Sequence, residues 1–170
     1  MLPQIAILLF VLIYTVTGCV WDLRTRRLPN WLTVTSFVLG LVFHTVVGAI
    51  SGAGAWNGFL FALAGFGMGF GLLFVLMAIG GGGGGDVKFM GALGTWVGWK
   101  LILIIFIGSG LIAAISMIGV LAWGWINTSQ MKSEDDDGKT AGRRLIPYAI
   151  PATISAWLVL GSLFWVATIG

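Results

Sequence analysis

Two carboxylates stand apart in this chain. Of its six acidic residues, four lie together as Glu134 to Asp137, in a stretch with Gly138 and Lys139 that reads as solvated linker. The other two, Asp22 and Asp86, each border a long uncharged block. An ionisable group at or inside a membrane boundary is costly to keep there, so it is a functional candidate by default. Two neighbouring carboxylates do not both ionise easily. The charged member of such a pair can activate a water while the neutral one protonates a leaving group, which is the chemistry of an aspartic hydrolase and needs no metal or cofactor. Each residue also has a plainer reading. Asp22 can pair with Arg24 or Arg26, and Asp86 can cap a helix that starts at Val87.

The remaining reactive side chains carry less. His44 lies mid-helix with no carboxylate at its depth and reads as a packed or hydrogen-bonded histidine. Cys19 is the single cysteine, which excludes an internal disulfide, a CxxC pair and a cysteine zinc site. Val16-Thr17-Gly18-Cys19 looks like a lipoprotein cleavage box, but no Lys or Arg precedes it, as a signal peptide requires. Six glycines, Gly80 to Gly85, lead into Asp86. No strand precedes them and no Gly-Lys-Ser/Thr ends them, so neither a dinucleotide site nor a P-loop fits. A backbone without Cβ beside a catalytic Asp would let an extended peptide approach closely; a floppy connector is the alternative. On the first reading, a β-branched residue at Gly83 or Gly85 misplaces Asp86, whereas alanine at Gly80 or Gly81 is well tolerated.

The elements that must hold these residues follow from composition. The chain has 170 residues, 58% hydrophobic and only 9% charged, against about 25% charged in a soluble domain. A soluble or disordered protein is excluded. Charge-free blocks cover 1–21, 31–85, 101–131 and 145–170. At roughly 20 apolar residues per crossing, they predict an all-α integral membrane bundle of six helices in one domain, over about 2–20, 31–50, 56–79, 87–97, 101–126 and 147–169. The fourth segment is too short for the full hydrocarbon depth, so the bilayer thins there or one end faces protein or water. The loops 21–30, 80–88 and 127–146 hold Arg24, Arg26, Arg27, Lys88, Lys132, Lys139, Arg143 and Arg144, and the opposite side holds Lys100. The positive-inside rule then makes those loops cytoplasmic and both termini external. The net charge of +3 reflects this topology and calls for no nucleic-acid partner. Trp21, Trp31, Trp56, Trp96, Trp99 and Trp125 fall near helix ends as interfacial anchors. The glycine pairs 65/69, 67/71 and 94/98 read as internal helix packing rather than dimerisation surfaces.

The motifs resemble a known family. Gly83-Gly84-Gly85-Asp86-Val87-Lys88 is similar to the GxGD-x-K signature of prepilin peptidases, intramembrane aspartic enzymes. Asp22-Leu23-Arg24 with Leu28-Pro29-Asn30 resembles their other motif, and Pro147-Tyr148 also looks familial. The resemblance implies catalysis by Asp22 and Asp86, with Gly83, Gly85, Lys88 and Arg24 as substrate-binding or supporting residues and no metal. It implies a prepilin-like substrate whose short basic leader is cut at the cytoplasmic face of the inner membrane. Many bacterial members carry an amino-terminal region with paired CxxC motifs and methylate the new terminus. This chain looks like the short, peptidase-only form, so no methyltransferase region is expected within 1–170. The runner-up is a small transporter or channel using Asp22 and Asp86 as a proton or cation relay, although carboxylates at the membrane edge suit it poorly. A presenilin-like protease would carry Tyr-Asp where this chain has Trp21-Asp22.

Overall fold

The computed structural model describes residues 2–25, 28–80, 83–128, 154 and 156–158. They form helices α1 (Leu2–Thr25), α2 (Asn30–Ile50), α3 (Ala55–Ala78) and α4 (Gly84–Thr128), joined by short connections. All four are long and apolar enough to cross a membrane, so the chain is a multi-pass membrane protein. Residues 154 and 156–158 are helical, within the predicted sixth segment. The rest of that segment, the acidic stretch 134–137, Lys132, Lys139, Arg143, Arg144, Pro147 and Tyr148 lie outside the described residues, as do Arg26, Arg27, Gly81 and Gly82.

Two predicted boundaries shift. Helix α1 continues past Val20 to Thr25, so Asp22 and Arg24 belong to its last turns. The charges mark where the membrane ends, not where the helix does, and Pro29 is the first helix-breaking residue in that stretch. The fourth and fifth predicted segments are joined in α4, which begins at Gly84 and is broken only at Gly98 (φ 81, ψ 170). The break leaves a first limb of residues 84–97 and a second limb of 99–128.

The first limb is short because it is interior. Val87, Phe89, Met90, Ala92, Leu93, Trp96 and Val97 are all buried, together with Val11 and Tyr14 of α1, Leu73 of α3 and Ile102 and Ile105 of the second limb. A helix that is apolar all round belongs inside the protein. Close backbone approach puts it there. A Cβ on Gly65 would collide with the carbonyl of Gly94, and one on Gly69 with the carbonyl of Met90. The pairs 65/69 and 94/98 therefore pack internally as expected. The pair 67/71 does not: a Cβ at either position meets nothing within 4 Å among the described residues.

At the far end of the limb, the Gly98 break leaves backbone groups that need partners, as any interruption among apolar helices does. His44 Nε2 donates to the carbonyl of Trp96 at 3.1 Å, so His44 is the hydrogen-bonded histidine that its position implied. Trp96 is a correction. It is buried, stacked on Phe10 at 3.8 Å between centroids, and donates from Nε1 to the carbonyl of Ser36 at 3.0 Å. A tryptophan near a helix end is an interfacial anchor only if its ring faces outward, and this ring is packed inside the protein. Trp21, Trp31, Trp56 and Trp99 are exposed.

Overpacking the α3–α4 contact should cost about 1–3 kcal/mol or more. Gly65→Val is expected to lower the thermal midpoint and the monodisperse yield in detergent, while Gly67→Ala, facing open space, stays within about 0.5 kcal/mol of the native protein. Equal midpoints for the two variants would contradict this packing.

Candidate active site

The glycine run is not one connector. Gly80 (φ 89) closes α3, its N–H bonding to the carbonyl of Met77 at 3.0 Å. Gly83 opens α4: its carbonyl accepts the N–H groups of Asp86 at 3.1 Å and Val87 at 3.3 Å. Gly84 and Gly85 are helical in spite of their propensity. Alanine at Gly80 is therefore strained whatever the space around it, and the expectation that it is well tolerated does not hold.

Asp86 folds back on this turn. Its carboxylate accepts the backbone N–H of Gly83, and a Cβ on Gly83 would lie 3.2 Å from Asp86 Oδ2. This is the reciprocal half of a capping box. Asp86 thus caps the helix, as the plainer reading held, but from its third residue rather than from the N-cap position. The bond fixes the carboxylate beside a backbone with no side chain.

The other motif builds the facing wall. Asp22 is 8% exposed on the last turns of α1, near enough to Asp86 that each carboxylate feels the other's charge. Leu28 lies against Gly85, where a Cβ would sit 3.6 Å from that of Leu28. Lys88 Nζ donates to Asn30 Oδ1 at 2.9 Å. The structure therefore brings Asp22, Asp86, Gly83, Gly85 and Lys88 together across 60-odd residues of intervening chain. Arg24 stays apart: it is exposed and, among the described residues, makes no hydrogen bond or ion pair.

The sequence assigned no role to Tyr14 or Gly18, and named Asn30 only as the last residue of a motif. Tyr14 donates its hydroxyl to the carbonyl of Phe89 at 3.2 Å and stacks on that ring at 4.9 Å. A Cβ on Gly18 would strike the Phe89 ring. Together they dock α1 on the first limb of α4, in the stretch just before Asp22. Tyr14 and Asp22 are eight residues apart, about two helical turns, and that shared face was the signal available. On the other side of α1, Trp157 Nε1 donates to Thr15 Oγ1 at 2.9 Å.

The arrangement supplies two interacting carboxylates, one exposed edge and an ammonium two residues from Asp86. Two carboxylates that share a site tend to hold one proton between them, the condition for one to act as base and the other as acid.

The contact between Leu28 and Gly85 falls within the Cβ separation of a disulfide, about 3.5–4.5 Å. With Cys19→Ser as background, Leu28→Cys/Gly85→Cys should form an intramolecular disulfide under mild oxidation, read as a mobility shift reversed by reductant. No crosslink would mean that the two motifs do not meet.

Comparison with known proteins finds relatives of one family. The model of the type IV leader peptidase family matches residues 6–118. The chain is 35% identical over 109 residues to the prepilin leader peptidase/N-methyltransferase of Escherichia coli (strain K12), covering 62% of this chain and 45% of that protein. It is 33% identical over 103 residues to the protein of the same name from Aeromonas hydrophila, covering 59% of this chain and 34% of that one. The chain thus spans less than half the length of these relatives. No solved structure is a significant match.

Proposed function

This chain belongs to the type IV leader peptidase family, and on that premise we propose that it is an intramembrane aspartic endopeptidase that removes the basic leader from type IV prepilin-like proteins. The observation that carries the proposal is the meeting of the two motifs that bear Asp22 and Asp86, with Leu28 against Gly85 and Lys88 bonded to Asn30.

In the proposed reaction a water sits between the two carboxylates. The ionised one takes its proton as the oxygen attacks the scissile carbonyl, and the protonated one donates to the departing amine nitrogen. No covalent intermediate forms, and the pair ends the cycle with its proton exchanged between members. The substrate must be extended at the cut. The glycines before Asp86 leave room for a second backbone, and the exposed edge at Gly83 and Gly84 is where it would lie. The basic residues beside the motifs, Arg24 and Lys88, support a cytoplasmic active site with both termini outside. The proposal covers peptide hydrolysis only. The relay reading draws less support, because Asp22 and Asp86 lie at helix ends rather than amid the apolar spans, where a transported ion would be held.

Co-expression with a prepilin tests the proposal. Asp22→Asn and Asp86→Asn should each lower the cleavage rate by about 10³ or more while the protein still elutes as one peak. Wild-type cleavage should pass through a maximum with pH, falling at low pH when both carboxylates are protonated and at high pH when both are ionised, and EDTA should leave it unchanged. Full cleavage by either Asn variant would overturn the assignment.

The glycines should grade by contact. Gly83→Val pushes on Asp86 Oδ2 and should reduce cleavage at least about tenfold, whereas Gly85→Ala, in ordinary van der Waals contact with Leu28, should stay within a few-fold of wild type. The reverse order would detach the glycine turn from the chemistry.

A further inference from the structure

The bond from Lys88 to Asn30 is more than packing requires. Lys88 is exposed, and holding a lysine in one geometry costs up to about 1.5–2 kcal/mol of rotamer freedom. Among the described residues its ammonium nevertheless reaches a single neutral amide oxygen, at 2.9 Å. That oxygen is itself on a fixed platform. Pro29 is extended (φ −71, ψ 134), its carbonyl accepts the N–H of Leu32 at 3.2 Å, and the carbonyl of Asn30 accepts the hydroxyl of buried Thr33 at 3.1 Å.

The two ends of the bond belong to the two motifs. Lys88 is two residues past Asp86, and Asn30 begins the helix that follows α1, eight residues past Asp22. Among the described residues α1 is the most sparsely packed of the four helices, so its carboxylate needs a tie close to the site. An amide also has a chemical advantage over a carboxylate here: it orients the ammonium without discharging it and adds no third negative charge beside the pair.

We propose that Asn30 is a positioning residue: by accepting from Lys88 it holds the turn bearing Asp86 in register with the α1–α2 hairpin bearing Asp22, while leaving the lysine's charge uncancelled. The role in catalysis rests on the peptidase reading above; the role in geometry does not.

The test separates the two. In the Cys19→Ser, Leu28→Cys/Gly85→Cys protein, the rate of disulfide formation reports the register without any need for activity. In the otherwise native protein, single-turnover cleavage of a purified prepilin in liposomes reports catalysis. Asn30→Ala should slow both about tenfold, and Lys88→Met should do the same. The double variant should be no worse than either single one, because both remove one bond. Asn30→Asp keeps an isosteric acceptor and should restore crosslinking, while its added negative charge favours the protonated carboxylates and moves the pH optimum for cleavage upward. Unchanged crosslinking in Asn30→Ala, or losses that multiply in the double variant, would overturn the proposal. Asn30-dependent crosslinking in a protein that cuts no prepilin would uphold the tether and overturn the peptidase reading instead.

Discussion

Much of this structure depends on how closely α3 approaches the first limb of α4. At Gly65 and Gly94 the two backbones touch with no side chain between them. Close approach of this kind is the main source of helix association where lipid offers no hydrophobic driving force. It sinks residues 89–97 into the interior, and that burial decides three other things. The limb can be short, because it ends against protein at Gly98 and His44. Its outer end presents Asp86 from a rigid helix rather than from a loop. And α1, docking on Phe89 through Tyr14 and Gly18, inherits its position from a residue three places beyond Asp86.

The carboxylate pair was legible because the sequence is so poor in charge. With four acidic residues in one stretch, Asp22 and Asp86 had few competitors, and uncharged blocks put them at helix ends. The helices α2 and α3 were legible to within a residue for the same reason. Less legible was anything that depends on three-dimensional neighbours. Trp96 looks like any tryptophan near a helix end until its ring is found buried. The pairs 65/69 and 67/71 share one spacing, yet lie on different faces of one helix, and only the first meets a partner.

The glycine run shows how composition can mislead about conformation. Six glycines argue against helix, and Gly80 and Gly83 do act as boundaries. Gly84 and Gly85 join α4 all the same, because the bonds from the N–H groups of Asp86 and Val87 to the carbonyl of Gly83 close the first turn over them. Asp86 thus serves the helix start and the site at once. A change that freed Asp86 for chemistry by removing its carboxylate's bond to the Gly83 N–H would also loosen the turn that aims it.

The tie between Trp157 and Thr15 spans 142 positions of the chain. It meets α1 one residue from Tyr14, whose hydroxyl binds the first limb of α4, so α1 is gripped by one element at residue 89 and by another made well after it, at residue 157. A nascent chain that has released α4 from the ribosome already owns both carboxylates and the capped glycine turn. It lacks the second grip on the helix that bears Asp22 until residues near 157 emerge. Assembly of the site is therefore ordered in time as well as in space, with the second fixing of the first helix delayed until residues near 157 are made.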